Sequence, residues 1–221
     1  MKNASRIMLS TFGLLVGLSG IEHGIGEILQ GDIVPSAMIF PSWPDSAFFR
    51  VLNGEPALSL IPNLLVTGIL ATCFSLLFIA GSVGWIQRRY SGWILIGLAI
   101  VMLFTGGGVF PPVFGILVGL GAIRRESRPE KSPSLPMTAP ARILAGLWPW
   151  LFTASLLSWF AMLPGVPALD HFFGVQNTAL ILLLLVCMFG FLLLAWYAAG
   201  VRDRNVANSS PQKGFTQTAG G

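Results

Sequence analysis

Ser91–Ile123 reads SGWILIGLAIVMLFTGGGVFPPVFGILVGLGAI. It carries no charged residue, and it is too long for one comfortable passage through a bilayer, which takes about 20 residues of helix. Gly106-Gly107-Gly108 and Pro111-Pro112 interrupt it near the middle. Triple glycine makes a poor helix interior, and paired prolines remove two backbone donors. The stretch is therefore one broken helix or two short helices joined by a turn. Its number of crossings sets the side of everything that follows it.

Charge decides the count, because cytoplasmic loops are enriched in Lys and Arg. Two crossings place Lys2/Arg6, Arg88/Arg89, Arg124/Arg125/Arg128/Lys131/Arg142 and Arg202/Arg204/Lys213 on one side. That is 12 of the 13 basic residues, with Arg50 alone outside. A single crossing would split the clusters between the two sides. The even count is preferred, and it predicts a hairpin. Each arm of about 16 residues rises ~24 Å against a ~30 Å hydrocarbon core. The arms therefore cross a thinned bilayer or dip in as a re-entrant loop.

Composition fixes the class. The chain is 54% hydrophobic and 10% charged, with a mean hydropathy of +0.76, whereas soluble domains carry about 25% charged residues. This is a polytopic integral membrane protein whose first partner is the lipid bilayer. The pI near 9.6 does not point to nucleic acid, since the basic residues sit in short clusters between apolar runs, as topology signals do. Further spans are read at Ile7–Leu29, Leu58–Ile86, Ile143–Leu163 and Val175–Ala199. The run that follows Lys2 and Arg6 is too long for a signal peptide and reads as an uncleaved first span. Cys73 and Cys187 read as small buried hydrophobes.

The expected fold class is all-α, with six membrane segments arranged four plus two. Residues 1–123 form a four-segment domain with an external loop at 30–57. Residues 124–142, rich in Pro, Ser and charge, form a cytoplasmic linker. A transmembrane hairpin follows at 143–200, then a polar tail at 201–221. The location is the cell membrane, multi-pass, with both termini cytoplasmic. In the external loop, 45–53 reads as a short helix capped by Asp45 or Ser46. Trp43, Phe48 and Phe49 suit the membrane interface or a lid, and Trp148 and Trp150 read as interfacial anchors.

Glu22, His23 and Glu27 stand near the end of the first span, where a charge costs ~2.5 kcal/mol or more at the bilayer centre and so marks function. A helix advances about 100° per residue. Gly13, Gly17, Gly20, Gly24 and Gly31 then fall on one stripe, which suits close packing of helices or of subunits in a homo-oligomer. Glu27 lies in the stripe and His23 one turn away. Glu22 points to nearly the opposite side, with Arg50 as its expected partner. His23 and Glu27 suit proton handling, a shared metal ion or a polar clamp. No metal-site spacing is present, so no metal is assigned and the cofactor stays open. Arg50, Glu55, Asn63, Asp170 and His171 are weaker candidates gathered on the external side, and the triple glycine approaches from the hairpin tip.

Ile21–Gly31 (IEHGIGEILQG) and the later GGGxxPP at 106–112 resemble uncharacterised prokaryotic polytopic integral membrane proteins. The resemblance covers roughly residues 7–123. It implies architecture and brings no activity. The residues therefore leave three functions: binding or transport of a small solute or ion at the external end of the first helix, an accessory or assembly protein packed by its glycines, and a membrane-embedded, metal-assisted enzyme using His23, Glu27 and His171. The first is preferred.

Overall fold

The computed structural model of the chain describes residues 4–126 and 138–209. The fold is helical throughout, apart from one small ribbon. Helix α1 (Ala4–Gln30) is long enough, at ~40 Å, to cross a bilayer. Its first turn leaves backbone N–H groups without helical partners. Asp203, near the far end of the chain, accepts from Ala4 N at 3.0 Å and Ser5 N at 3.1 Å. An anion there also complements the helix dipole. The other end stops at Gly31, whose φ of +86° suits a residue without Cβ.

Strands β1 (Ile39–Pro41) and β2 (Pro56–Leu58) pair antiparallel, with Phe40 opposite Ala57. Ser42 N→Glu55 O (3.0 Å) and Trp43 N→Gly54 O (2.9 Å) extend the pairing. The helix expected over 45–53 is a single 3-10 turn, Arg50–Leu52, and the ribbon was not foreseen. Three residues per strand are too few for an alternating pattern to register.

Helix α2 (Leu64–Ala80) continues through a π turn, Gly81–Trp85. It starts later than the expected Leu58. Pro62 restricts the residue before it, Leu58 is held in β2, and Asn63 caps the helix by accepting from Val66 N at 3.0 Å. Helices α3 (Ser91–Phe104) and α4 (Phe110–Glu126) pack on each other. The chain breaks between them at the triple glycine. Pro111 and Pro112 fall in the first turn of α4, where no helical donor is needed.

Helix α5 (Ala139–Phe160) runs on through a π turn, Ala161–Gly165, into α6 (Val166–Phe173). Asp170 and His171 are therefore helical. Helix α7 (Thr178–Ser209) closes the fold. Residues 127–137 of the expected linker and 210–221 of the tail lie outside the described residues. The linker's flanks at 124–126 and 139–142 are helical.

Helix α1 is the centre, packed on α2, α4 and α7, while α5 and α7 pair. Phe12, Phe114, Trp159 and Phe189 join the N-terminal helices to this last pair. Phe114 meets Trp159 edge-on at 4.8 Å and stacks on Phe189 at 4.6 Å. Among the described residues, four stretches are long and apolar enough to cross a membrane: Ala4–Gln30, Leu64–Trp85, Ala139–Phe173 and Thr178–Val206. Two expectations about single side chains fail. Cys73 is exposed and Cys187 only half-buried. Trp148 is buried, stacked on Phe152 at 5.4 Å, whereas Trp150 is exposed.

Gly13, Gly17, Gly20 and Gly24 face α2, where a Cβ would overlap Ser82, Ile79, Ser75 and Thr72 in turn. Gly31 was placed on the same stripe, but it lies past the helix end with nothing within 4 Å of an added Cβ. At Gly24 the added carbon would also sit 2.7 Å from the Gly68 carbonyl, a backbone atom that cannot turn aside. Gly24→Ala should destabilise the protein by ~1–3 kcal/mol. Gly190→Ala, in open space, should be neutral or stabilise by up to ~1 kcal/mol. Thermal midpoints of the two variants in detergent check this.

Candidate functional site

The C-terminal end of α1 carries the polar residues. His23 and Glu27 are one turn apart and share a face. His23 is 4% exposed and Glu27 0%. The β1–β2 ribbon folds over this end and brings Ser42 and Glu55 opposite each other. Each takes one ring nitrogen of His23. Nδ1 lies 2.9 Å from Ser42 Oγ, and Nε2 lies 3.3 Å from Glu55 Oε2. The imidazole is thus gripped from both sides by paired residues of one ribbon.

The local sequence explains how Glu55 reaches this position. Asn53, Gly54 and Glu55 all have positive φ, at 53°, 70° and 55°. Asn and Gly accept that region readily, but Glu does so at a cost of ~1–2 kcal/mol. The run reverses the chain after the 3-10 turn and feeds Glu55 into the ribbon opposite Ser42. Strain held at one buried acid is a common mark of a functional position. Burial raises the Glu55 carboxyl above the ordinary carboxylate range, because the charged form loses its water.

Glu22 completes the group. Its carboxyl faces those of Glu55 and the indole of Trp43, and its Oε1 is buried without a hydrogen-bond partner. One ligand atom each from Glu22, His23 and Glu55 lies within 4.8 Å of the others. The expected pairing of Glu22 with Arg50 is not seen. Arg50 instead pairs with the buried carboxylate of Asp170 at 3.4 Å, its own side chain largely exposed. The side of α1 that carries Glu22 is covered by the ribbon and Trp43, whose ring lies against Gly26.

Glu27 meets the break between α3 and α4. A Cβ on Gly106 would overlap the Glu27 carboxylate, and one on Gly108 would overlap His23 Nε2. Both glycines have positive φ, 86° and 79°. The tip is pinned to the strand that follows Glu55, through Gly106 N→Leu58 O (3.0 Å), Leu60 N→Phe104 O (3.1 Å) and a bridge between Ser59 and Thr105. Both Glu27 oxygens are buried without a hydrogen-bond partner. The Ser42 hydroxyl faces them without closing a bond.

The structure thus gathers Glu22, His23, Glu27 and Glu55 and leaves the remaining candidates apart. Asn63 is the cap of α2 and donates to Asp32. Asp170 accepts from Gln176 Nε2 at 2.8 Å as well as from Arg50. His171 is exposed, with its ring 5.8 Å from that of Phe48. Sequence reasoning missed Ser42 as a partner of His23 and took Trp43 for an interfacial residue. A lone Ser-Trp between prolines signals neither role. Asn53-Gly54 was the one available clue, since that dipeptide marks tight reversals. Among the described residues no Lys or Arg pairs with Glu22, Glu27 or Glu55. An apolar cleft bounded by Met8, Phe12, Phe114 and Trp196 has no titratable lining. No protein family, no curated protein and no solved structure matches this chain.

Proposed function

We propose that the chain is a multi-pass protein of the cell membrane that binds a small cation, or the cationic part of a small solute, at the outer end of α1. In this reading α1, α2, α3, α4, α5 with α6, and α7 make six passages, four plus two, and both termini are cytoplasmic. The clustering of basic residues supports an even count between Arg89 and Arg124. The lengths of α3 and α4, ~21 and ~25 Å, fit short arms. Their glycine tip lies level with Glu27, about one turn from the end of α1, so the arms reach almost as far outward as the first helix does.

The observation that carries the function is the convergence of the Glu22 and Glu55 carboxylates on the His23 imidazole, with the buried Glu27 one turn away and, among the described residues, no Lys or Arg paired with any of them. Acids withdrawn from water need a compensating positive charge or a proton. A bound cation supplies it, and binding beside a backbone break is the arrangement that many transporters use. The assembly reading draws less support, because Gly13, Gly17, Gly20 and Gly24 are packed against α2 of the same chain.

Two measurements test this reading. A reporter fused after Arg125 should report a cytoplasmic position, and an exterior signal there would overturn the six-passage arrangement. Purified protein should be screened against Na⁺, K⁺, tetramethylammonium, Mg²⁺, Ca²⁺, Mn²⁺ and Zn²⁺. At least one should raise the thermal midpoint, by the equivalent of ~2.7 kcal/mol at a hundredfold excess over Kd. Glu55→Gln and Glu27→Gln should remain folded and lose that response. A wild-type protein indifferent to every cation would sink the proposal.

A further inference from the structure

We infer that Glu22, His23 and Glu55 form a three-ligand site for a divalent first-row transition-metal ion. This rests on the proposed reading of the site as one for cations and names the class of cation.

The first argument is geometric. Two ligands bound ~2.1 Å from one ion at a tetrahedral angle lie ~3.4 Å apart. His23 Nε2 and Glu55 Oε2 are separated by 3.3 Å. The Glu22 ligand atom is within 4.8 Å of both. The three ligands come from two elements, adjacent positions on α1 and the strained end of the ribbon turn. A ligand set of this kind defines a point in space and not just a charged face.

The second argument is the outer support. A metal-bound histidine donates its other ring N–H to a neighbouring acceptor, which fixes tautomer and orientation. His23 Nδ1 is already on Ser42 Oγ at 2.9 Å. With the Nδ1–H donating to Ser42, Nε2 carries its lone pair toward the two carboxylates. The hydroxyl that orients the ring faces Glu27 in turn.

The third argument is Glu27 itself. It is not one of the three ligands, and it is 0% exposed with both oxygens unpartnered. It aims at Ser42, inside the cluster, and acts electrostatically on Glu22. A fully enclosed carboxylate so placed points to positive charge in the cluster greater than a neutral imidazole provides. The backbone at Gly106 and Gly108 lies against Glu27 and His23, and among the described residues no Lys or Arg pairs with the cluster.

The donor set selects the metal. Calcium takes six to eight oxygens, and magnesium retains a shell of water in strict octahedral geometry. An imidazole nitrogen with two carboxylates suits Zn²⁺, Mn²⁺ or Fe²⁺. Three protein ligands also leave a fourth position for water or a solute anion.

The test uses the full chain in detergent or nanodiscs after chelation. Equilibrium dialysis against Zn²⁺ and Mn²⁺, read by elemental analysis, should give one ion per chain. Co²⁺ should give visible d–d absorption that shifts in His23→Gln. Ser42→Ala should weaken binding about 10- to 100-fold, as loss of a supporting group does, and Glu55→Gln by at least as much. His171→Gln, at an exposed histidine outside the cluster, should bind as wild type does. Binding that survives in Glu55→Gln and Ser42→Ala but falls in His171→Gln would overturn the inference. If Zn²⁺ and Mn²⁺ do not bind while Na⁺ or tetramethylammonium still stabilises the protein through Glu55, the metal inference fails and the cation reading stands. If no cation does either, both fail.

Discussion

A carboxylate and an imidazole can sit a full turn inside the end of an apolar helix only when something other than lipid surrounds them. Here part of the enclosure is backbone. The loop between α3 and α4 presses Gly106 and Gly108 against Glu27 and His23, and the ribbon closes the opposite side with Ser42 and Glu55. Backbone in irregular conformations is tolerated at such depth only when buried in protein. The polar side chains and the broken helix therefore require each other. The glycines need partners for a stretch with no helical bonding, and the acids need cover without bulk. Pinning of the tip to Leu58 and Leu60 ties both to the same strand that delivers Glu55.

The helices were legible from the chain because apolar length is a strong and local signal. Ile7–Leu29 became α1 with an extra turn at its start, and the glycine break between α3 and α4 falls where GGG stands. Boundaries were less legible. Leu58–Pro62 is as apolar as the helix that follows, and only Pro62-Asn63 marks where helix begins. The extension of α5 through Pro164 into α6 was hidden because a proline in sequence reads as a stop, whereas a π turn absorbed it. The cluster was half legible. His23 and Glu27 were placed on one face by spacing alone. Glu55 stood among several loop acids, and Ser42 carried no mark at all. Their meeting depends on strand register between segments far from α1 in sequence. A helical wheel describes one helix and says nothing about what folds over its end, which is why Glu22 was assigned to Arg50.

The division into four helices and two is a division of the chain more than of the structure. Phe12 and Phe114 lie on the N-terminal side, Trp159 and Phe189 on the other, and they share one aromatic core. Arg50 reaches Asp170 and ties the ribbon's 3-10 turn to α6. A half-exposed pair of this kind contributes little energy. It does fix where the turn sits, and the turn leads directly into the strained run that ends at Glu55.

The carboxylate of Asp203 on the first two amides of α1 joins residues separated by 198 and 199 positions. During synthesis α1 and α2 are both made while that acceptor is still untranslated. Its leading turn therefore stays frayed, or borrowed by water, until the closing helix arrives. This seam of the bundle closes only after α7 has been made, and a chain truncated ahead of Asp203 lacks the carboxylate that closes it.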